Sequence, residues 1–204
     1  GTQLTMRTFH IGGAATKASE ENRVYLKYPV IIGKITGNTV SLDNGVTLFT
    51  RKGFIMINRV LESIEIKPKD KVLVADGDKV IAGNTLMKRG TEEITAEEIA
   101  YVIIRDNHLY LVSQGQRIDI RNGAELLVNE GDVVPAETSI ARFDPFSEPI
   151  IAEYSGVVRY HDIILGTTLK EEINEDTGNI EKKITEYTLE TLQPRIVIEN
   201  EQGE

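Results

Sequence analysis

Few side chains in this 204-residue chain titrate near neutral pH in their ordinary range, because it contains three histidines and no cysteine. Without thiols, the chain forms neither disulfides nor thiolate metal sites, and it fits a reducing compartment. His108 and His161 each lie beside an Asp or Asn at an expected turn or strand edge and lack metal-ligand spacing. We interpret both as structural or surface residues. Taken by itself, His10 next to Phe9 is typical of an ordinary surface or turn histidine.

Composition and charge narrow the classes of function. A hydrophobic fraction of 40% and a charged fraction of 27% are typical of a soluble globular protein, and no run of 18 apolar residues or signal-peptide pattern predicts a membrane protein. The net charge of −9 repels phosphates, so we expect no autonomous nucleic-acid binding. We interpret the late acidic clusters, around Glu171 to Asp176 and from Glu199, as solvated surface.

The first 22 residues differ in texture from the remainder. GTQLTMRTFHIGG (1–13) mixes Thr with Leu, Met and Phe and ends in two glycines. Residues 4–10 have the composition for one or two helical turns, and Gly12-Gly13 either ends that helix or acts as a flexible joint. A helix this short is marginal in water without a packing partner. We therefore expect a short helical or disordered N-terminal segment.

From Val24 onward the sequence is typical of β-structure. Short apolar runs such as VYLKYPVII and GFIMI are separated by residues that favour turns. The expected turns lie at Gly37-Asn38, Asp43-Asn44-Gly45, Asp106-Asn107, Gln114-Gly115, Asn122-Gly123 and Thr177-Gly178-Asn179. Strands at this spacing predict an all-β barrel or sandwich rather than a parallel α/β sheet. TEEITAEEIAY (91–101) is either a helical turn or a polar connection into the strand YVIIR.

An internal repeat organises the middle of the chain. KVLVADGDKVIAGNTLMK (71–88) aligns with ELLVNEGDVVPAETSIAR (125–142) at a constant offset, which is the separation between Gly77 and Gly131. Each copy predicts a strand, a tight Gly-Asp turn, a second short strand and a return. Glycine supplies the backbone conformation, and the aspartate accepts hydrogen bonds from the turn's own amides. The repeat indicates two related β units or two halves of one pseudo-symmetric barrel.

The segment after the second copy extends this pattern. EPIIAEYSGVVRYHDIILGTTL (148–169) predicts a strand, a turn at Ser155-Gly156 and another strand. A strand, a Gly-Asp turn, a strand and then P-I-x-A-x-x-S-G-x-V resembles the barrel-sandwich hybrid family. Biotinyl and lipoyl carrier domains share that layout, as does a motif of large polymerase subunits. The resemblance implies barrel-sandwich hybrid units with an internal repeat.

GTQLTMRTFHIGG closely resembles the N-terminal half of the trigger loop in the β′ subunit of bacterial RNA polymerases. In many bacteria an insertion of sandwich-barrel hybrid motifs interrupts this loop soon after the two glycines. FDPFSEPIIAEYSGVVRYHDI is similar to the first such motif of the proteobacterial insertion. The resemblance implies two domains: residues 1–22, the first half of the trigger loop with its joint, and residues 23–204, the β-rich insertion with repeat units around 71–88 and 125–142.

The resemblance also implies the chemistry, which is nucleotidyl transfer from an NTP to an RNA 3′ end, with the trigger loop closing the site. His10 matches the histidine beside the NTP phosphates, which acts either as a general acid or as a positioning group. Arg7 matches a residue near the phosphates, where a guanidinium suits oxygen anions. Met6 matches the residue that packs on the base, and Gln3 matches one near the ribose.

The same resemblance indicates what the chain lacks. The family's Mg²⁺ ligands form an aspartate-rich loop, and neither that motif nor the cysteine zinc sites nor the second trigger helix occurs here. We therefore expect Mg²⁺ only in the intact polymerase, no cofactor in this chain, and no catalysis by the chain alone. The implied partners are the β, α, ω and σ subunits, with NTP, DNA template and RNA, in the cytoplasm and without membrane contact.

Two alternative functions stay open at this point. LMKRG (86–90) has the Met-Lys context of biotinyl domains, but Lys88 follows Gly77-Asp78, whereas the modified lysine of a carrier precedes its Gly-Asp element. The other alternative is a pure protein-interaction module. It is compatible with an insertion whose β units are tethered to the moving loop and bias its open and closed populations.

Overall fold

The computed structural model describes residues 22–176, 178–185 and 191–203. These residues form nineteen strands and no helix, which confirms the all-β prediction. The short helical or disordered segment predicted at the N-terminus lies outside the described residues, apart from Asn22. The chain divides into two compact units, Gly1–Ile151 and Ala152–Glu204.

Fifteen strands belong to the first unit, and all their pairings are antiparallel. They are β1 (Arg23–Leu26), β2 (Val30–Thr36), β3 (Thr39–Ser41), β4 (Thr47–Phe49), β5 (Gly53–Glu65), β6 (Lys71–Val72), β7 (Lys79–Val80), β8 (Thr85–Arg89), β9 (Glu92–Thr95), β10 (Ala100–Arg105), β11 (His108–Val112), β12 (Gln116–Ile120), β13 (Glu125–Leu126), β14 (Val133–Val134) and β15 (Thr138–Arg142). One sheet has the order β1-β15-β13-β4-β3, a second β14-β2-β5-β11-β10-β7 with β12 also on β5, and a third β6-β8-β9.

The longest strand, β5, links two parts of the first unit. Its beginning pairs with β2 and β12, and its end pairs with β11. We call residues 60–112 the inserted half, because they are continuous in sequence. Residues 23–58 and 116–142 lie on both sides of it in the chain, and we call them the split half. β5 crosses from the split half into the inserted half, and β11 and β12 return along it.

The two halves have the same strand pairing. Lys71 pairs with Lys88 in the inserted half, and the residues at the repeat offset from them, Glu125 and Arg142, pair in the split half. At the same offset, β7 of the inserted half corresponds to β14 of the split half, and the end of β5 corresponds to β12. The beginning of β5, in the split half, corresponds to β11 of the inserted half. β1 and β2 correspond to β9 and β10, which lie further along the chain. The predicted repeat is therefore a structural pseudo-symmetry, with one copy of the unit inserted into the other.

The Gly-Asp turns are equivalent as well. Gly77 and Gly131 have φ angles of 89° and 88°, the left-handed region that favours glycine. In each turn the amide three residues before the aspartate donates to its Oδ2, at 2.8 Å for Asp78 and 2.7 Å for Asp132. These local bonds close the turn, as the sequence predicted.

Each half has its own hydrophobic core. The split-half core contains Leu26, Val30, Ile32, Phe49, Ile55, Ile57, Ile120, Ala124, Val128, Val134, Ile140 and Ala141. The inserted-half core contains Ile64, Val80, Leu86, Met87, Ala96, Ala100, Val102, Leu109 and Leu111. All of these except Ile64 occupy positions equivalent to core residues of the split half, because alternation along paired strands sends the same positions inward.

The second unit consists of two antiparallel strand pairs among its described residues. β16 (Val157–His161) pairs with β19 (Arg195–Glu199), and β17 (Leu169–Ile173) pairs with β18 (Ile180–Ile184). Thr168 is fully buried, and its hydroxyl accepts a hydrogen bond from the Ile164 amide at 2.8 Å.

Several local predictions require correction. Residues 92–95 form β9, neither a helical turn nor an unpaired connection, because they pair with β8 and lead to buried Ala96. No strand forms at residues 148–155, and β16 pairs with distant β19. The turns at 43–45, 106–107 and 178–179 connect paired strands, whereas those at 37–38, 114–115 and 122–123 connect strands that pair elsewhere.

Candidate functional site

The residues with predicted catalytic and NTP-binding roles are not among those that the structure describes. Gln3, Met6, Arg7 and His10 all precede residue 22. Their roles remain predictions from the resemblance.

The structure does show how the chain that follows this segment is held. β1 pairs with β15 from Arg23 opposite Arg142 to Leu26 opposite Thr138. Immediately before it, the Asn22 carbonyl accepts a hydrogen bond from the Phe143 amide at 2.8 Å. Leu26 is buried in the split-half core. The chain that follows the first 21 residues is thus held on the split half by a paired strand whose last residue, Leu26, is buried.

The other two histidines lie at strand ends, as predicted. His108 begins β11, where its ring stacks on Tyr110 with ring centres 5.8 Å apart. His161 ends β16 opposite Arg195. The part of the chain that the structure describes contains no group of three or more His, Cys, Asp or Glu residues able to hold a metal ion. Within the same described residues, no helix is long and apolar enough to cross a membrane.

Lys88 has the wrong setting for a carrier lysine. It lies inside β8 rather than at a hairpin tip, paired with Lys71 and Glu93 on its two sides. Its ammonium is 2.6 Å from the Glu93 carboxylate, which lowers the pKa of Glu93. A modified lysine must reach a second active site, and this one is flanked by strands.

An open groove of about 660 Å³ lies on the split half, where the ends of β2, β5 and β12 meet. We call it the cationic groove. It is lined by Thr36, Gly37, Lys52, Gly53, Phe54, Arg117, Asp119, Ile120 and Arg121. Because side chains alternate along a strand, Arg117 and Asp119 lie on the same face of β12, opposite Met56 and Phe54 of β5.

The guanidinium groups of two arginines of this groove lie over aromatic rings. The guanidinium of Arg117 lies 4.2 Å from the centre of the Phe54 ring, and its Nε donates to Asp119 Oδ1 at 2.7 Å. The guanidinium of Arg121 lies 5.1 Å from the centre of the Phe143 ring. Arg121 Nη2 also donates to the Ser147 carbonyl at 3.5 Å, and a guanidinium over a ring keeps its remaining donors at its edges.

The pseudo-symmetry identifies the equivalent surface of the inserted half. At the repeat offset, Arg117 corresponds to Ser63, whereas Lys52 precedes the paired strands and has no counterpart that the register fixes. The register confirms the match of Arg117, because Ser63 pairs with Tyr110 as Arg117 pairs with Met56. Arg121 corresponds to Lys67, so that cation is present in both halves, whereas the charge of Arg117 belongs to the split half alone.

The sequence carries only a partial signal of this groove, because Lys52 is the one cation of its lining that lies within a basic segment. Residues 22–59 carry six basic side chains and one acidic side chain, Asp43, in a chain whose net charge is −9. The basic residues are Arg23, Lys27, Lys34, Arg51, Lys52 and Arg59. The overall charge conceals this local excess.

Comparison with known proteins gives one consistent result. The chain is 50% identical over its whole length to part of the DNA-directed RNA polymerase subunit β′ of Treponema denticola, 49% identical to that of Borrelia recurrentis and 42% identical to that of Treponema pallidum. It spans 14%, 15% and 14% of these relatives. No protein-family model matches the chain.

Proposed function

We propose that this chain, which is homologous over its whole length to a segment of the bacterial RNA polymerase β′ subunit, serves DNA-directed RNA synthesis as the first half of a trigger loop followed by a β-rich insertion. Identity of 42% to 50% along the entire chain is the observation that carries the proposal. The domain division at residues 22 and 23 is part of it. A biotinyl or lipoyl carrier is not favoured.

Within the intact polymerase, residues 1–13 close the NTP site. We assign His10 and Arg7 to the phosphates, Met6 to the base and Gln3 to the ribose. Mg²⁺ supplies charge neutralisation at ligands elsewhere in the enzyme. The β, α, ω and σ subunits, NTP, DNA template and RNA are the proposed partners, in the cytoplasm, and the chain alone is inactive.

The role of His10 is tested in the reconstituted polymerase with His10→Gln and His10→Ala. Glutamine keeps a hydrogen-bond donor but does not titrate. If His10 is a general acid, both variants slow single-nucleotide addition about 100-fold or more and flatten its pH dependence. If it only positions the phosphates, the glutamine variant keeps most of the rate. Normal rates in both variants would contradict any role in closing the site.

The role of the insertion is tested by removing residues 24–204 and rejoining the two halves of the trigger loop. We propose that the insertion biases loop closure, because β1, which follows the trigger-loop segment within a few residues of sequence, is paired in a folded core. The deletion is expected to change elongation rate or pause lifetime in the intact enzyme. Unchanged kinetics at every pause site would show that the insertion is a passive module.

A further inference from the structure

We propose that the cationic groove binds single-stranded nucleic acid. Lys52, Arg117 and Arg121 bind the phosphates, and one base stacks on the Phe54–Arg117 pair. This inference goes beyond the proposed function, because it concerns a surface of the insertion and needs no catalytic activity.

The charge of the groove favours a polyanion. Its lining has three cations and one anion, Asp119, so it carries two net positive charges. The Arg117–Asp119 pair, at 2.7 Å, leaves Lys52 and Arg121 without a second acidic side chain in the lining. The five donors of a guanidinium allow Arg117 to bind a phosphate while it keeps its carboxylate partner.

The arrangement of the cations favours an extended strand. Arg117 and Arg121 lie at the two ends of an extended segment, at a separation of roughly 13 Å. Lys52 immediately precedes β5, the strand that pairs with β12. A backbone with repeated phosphates can therefore contact all three, which a single small anion cannot do.

The aromatic residues favour nucleic acid over an acidic peptide. A guanidinium stacked on a ring presents a flat surface on which any base can stack. A volume of about 660 Å³ is in the range of small-ligand sites, so it accommodates a few groups of a single strand but not the width of a duplex. Glutamate side chains have no flat face that would use this surface.

This site departs from the expectation, based on the net charge of −9, that the chain has no autonomous nucleic-acid binding. Charges further away than about 8 Å are largely screened at physiological salt, so the local lining dominates. We expect weak binding by the isolated chain, with a Kd on the order of 10⁻⁴ M, as for non-specific contacts. In an assembled enzyme a nearby strand would have a high effective concentration.

Fluorescence anisotropy of a labelled oligothymidylate with the full chain tests the inference. Lys52→Gln combined with Arg117→Gln is expected to weaken binding about tenfold and to lower the salt slope by about 1.4, since two phosphate contacts are lost. The matched control is Lys67→Gln combined with Lys79→Gln, which removes two exposed cations of the inserted half. The control should bind as the parent does, within about twofold.

Three further arms make the result decisive. Labelled oligouridylate distinguishes RNA from DNA, a matched duplex should bind several-fold more weakly, and Phe54→Leu should weaken single-strand binding without changing the salt slope. Circular dichroism establishes that each variant is folded. Equal loss in both double variants, or polyglutamate competing as well as oligothymidylate, would overturn the inference.

Discussion

The split half and the inserted half share one backbone arrangement but carry different surfaces. Equivalent inward positions stay apolar, as with Ile55 and Leu109, which are both fully buried. Equivalent outward positions diverge, and exposed Arg117 corresponds to exposed Ser63. Burial fixes the register of a strand, because a shift by one residue would expose its apolar face. The outward face is not constrained in this way, so the halves can differ in what they bind.

The halves also differ at one interior position. In the inserted half Arg89 Nη2 lies 2.7 Å from Asp70 Oδ2, and the Asp70 side chain is only 2% exposed. At the repeat offset the split half has Phe143 in place of Arg89 and Ala124 in place of Asp70. The same backbone thus accepts either an ion pair or two apolar side chains, and only the ion pair adds a pH-dependent contribution at this position.

The largest expected effect tests whether the equivalent cores are energetically equivalent. Ile55→Ala and Leu109→Ala each remove a fully buried side chain and should each lower the free energy of unfolding by about 2–5 kcal/mol. Because β5 runs through both halves, we expect each variant to shift a single urea transition, followed by circular dichroism. Hydrogen exchange that accelerates only in the mutated half would show that β5 does not couple them.

The next effect concerns the Arg89–Asp70 ion pair and the stability of the protein at low pH. The hydrogen bond from Arg89 is the main cause that lowers the pKa of Asp70 below its ordinary value of 3.8. A carboxyl with a lowered folded pKa stabilises the protein above its unfolded pKa, and this contribution is lost as the pH falls through the folded value. Asp70→Asn should therefore be less stable at pH 7 and should lose less stability below about pH 4.

Hydrogen exchange of the parent chain between pH 5 and pH 3, corrected for intrinsic rates, locates this loss. It is expected in the inserted half rather than around Ala124. An Asp70→Asn variant with the same acid sensitivity as the parent would assign the loss to other carboxylates.

The smallest effect concerns backbone strain at a pair of equivalent turn residues. Gly83 has a φ of 86°, and its counterpart Glu137 has a φ of 61°, where a side chain is unfavourable. Gly83→Ala should cost about 1–2 kcal/mol, and nothing lies within 4 Å of the added Cβ, so the cost is conformational. Glu137→Gly should gain less than about 1 kcal/mol, because glycine also raises the entropy of the unfolded chain.

Thermal unfolding of the two variants beside the parent measures both effects. A lower Tm for Glu137→Gly would mean that the glutamate side chain contributes more than its backbone strain costs.

Local patterns predicted the parts of the fold that depend on neighbouring residues. The Gly-Asp turns close through bonds between residues close in sequence, so Gly77 and Asp78 were sufficient to predict them. TEEITAEEIAY was misjudged because its strand, β9, exists only through pairing with β8. The strand predicted before Ser155 failed for a related reason, since a β pattern without an available partner forms no ladder.

The sequence by itself determined the all-β class, the repeat that relates Gly77 to Gly131 and the resemblance of residues 1–13, because composition, spacing and motif are properties of the linear chain. Only the tertiary structure decided that one copy of the repeat is inserted into the other, since strand partners far apart in sequence are chosen by joint burial. Only the tertiary structure, too, places Lys52, Arg117 and Arg121 in the lining of one groove. Charges so distant in the chain form a site only after β5 and β12 pair.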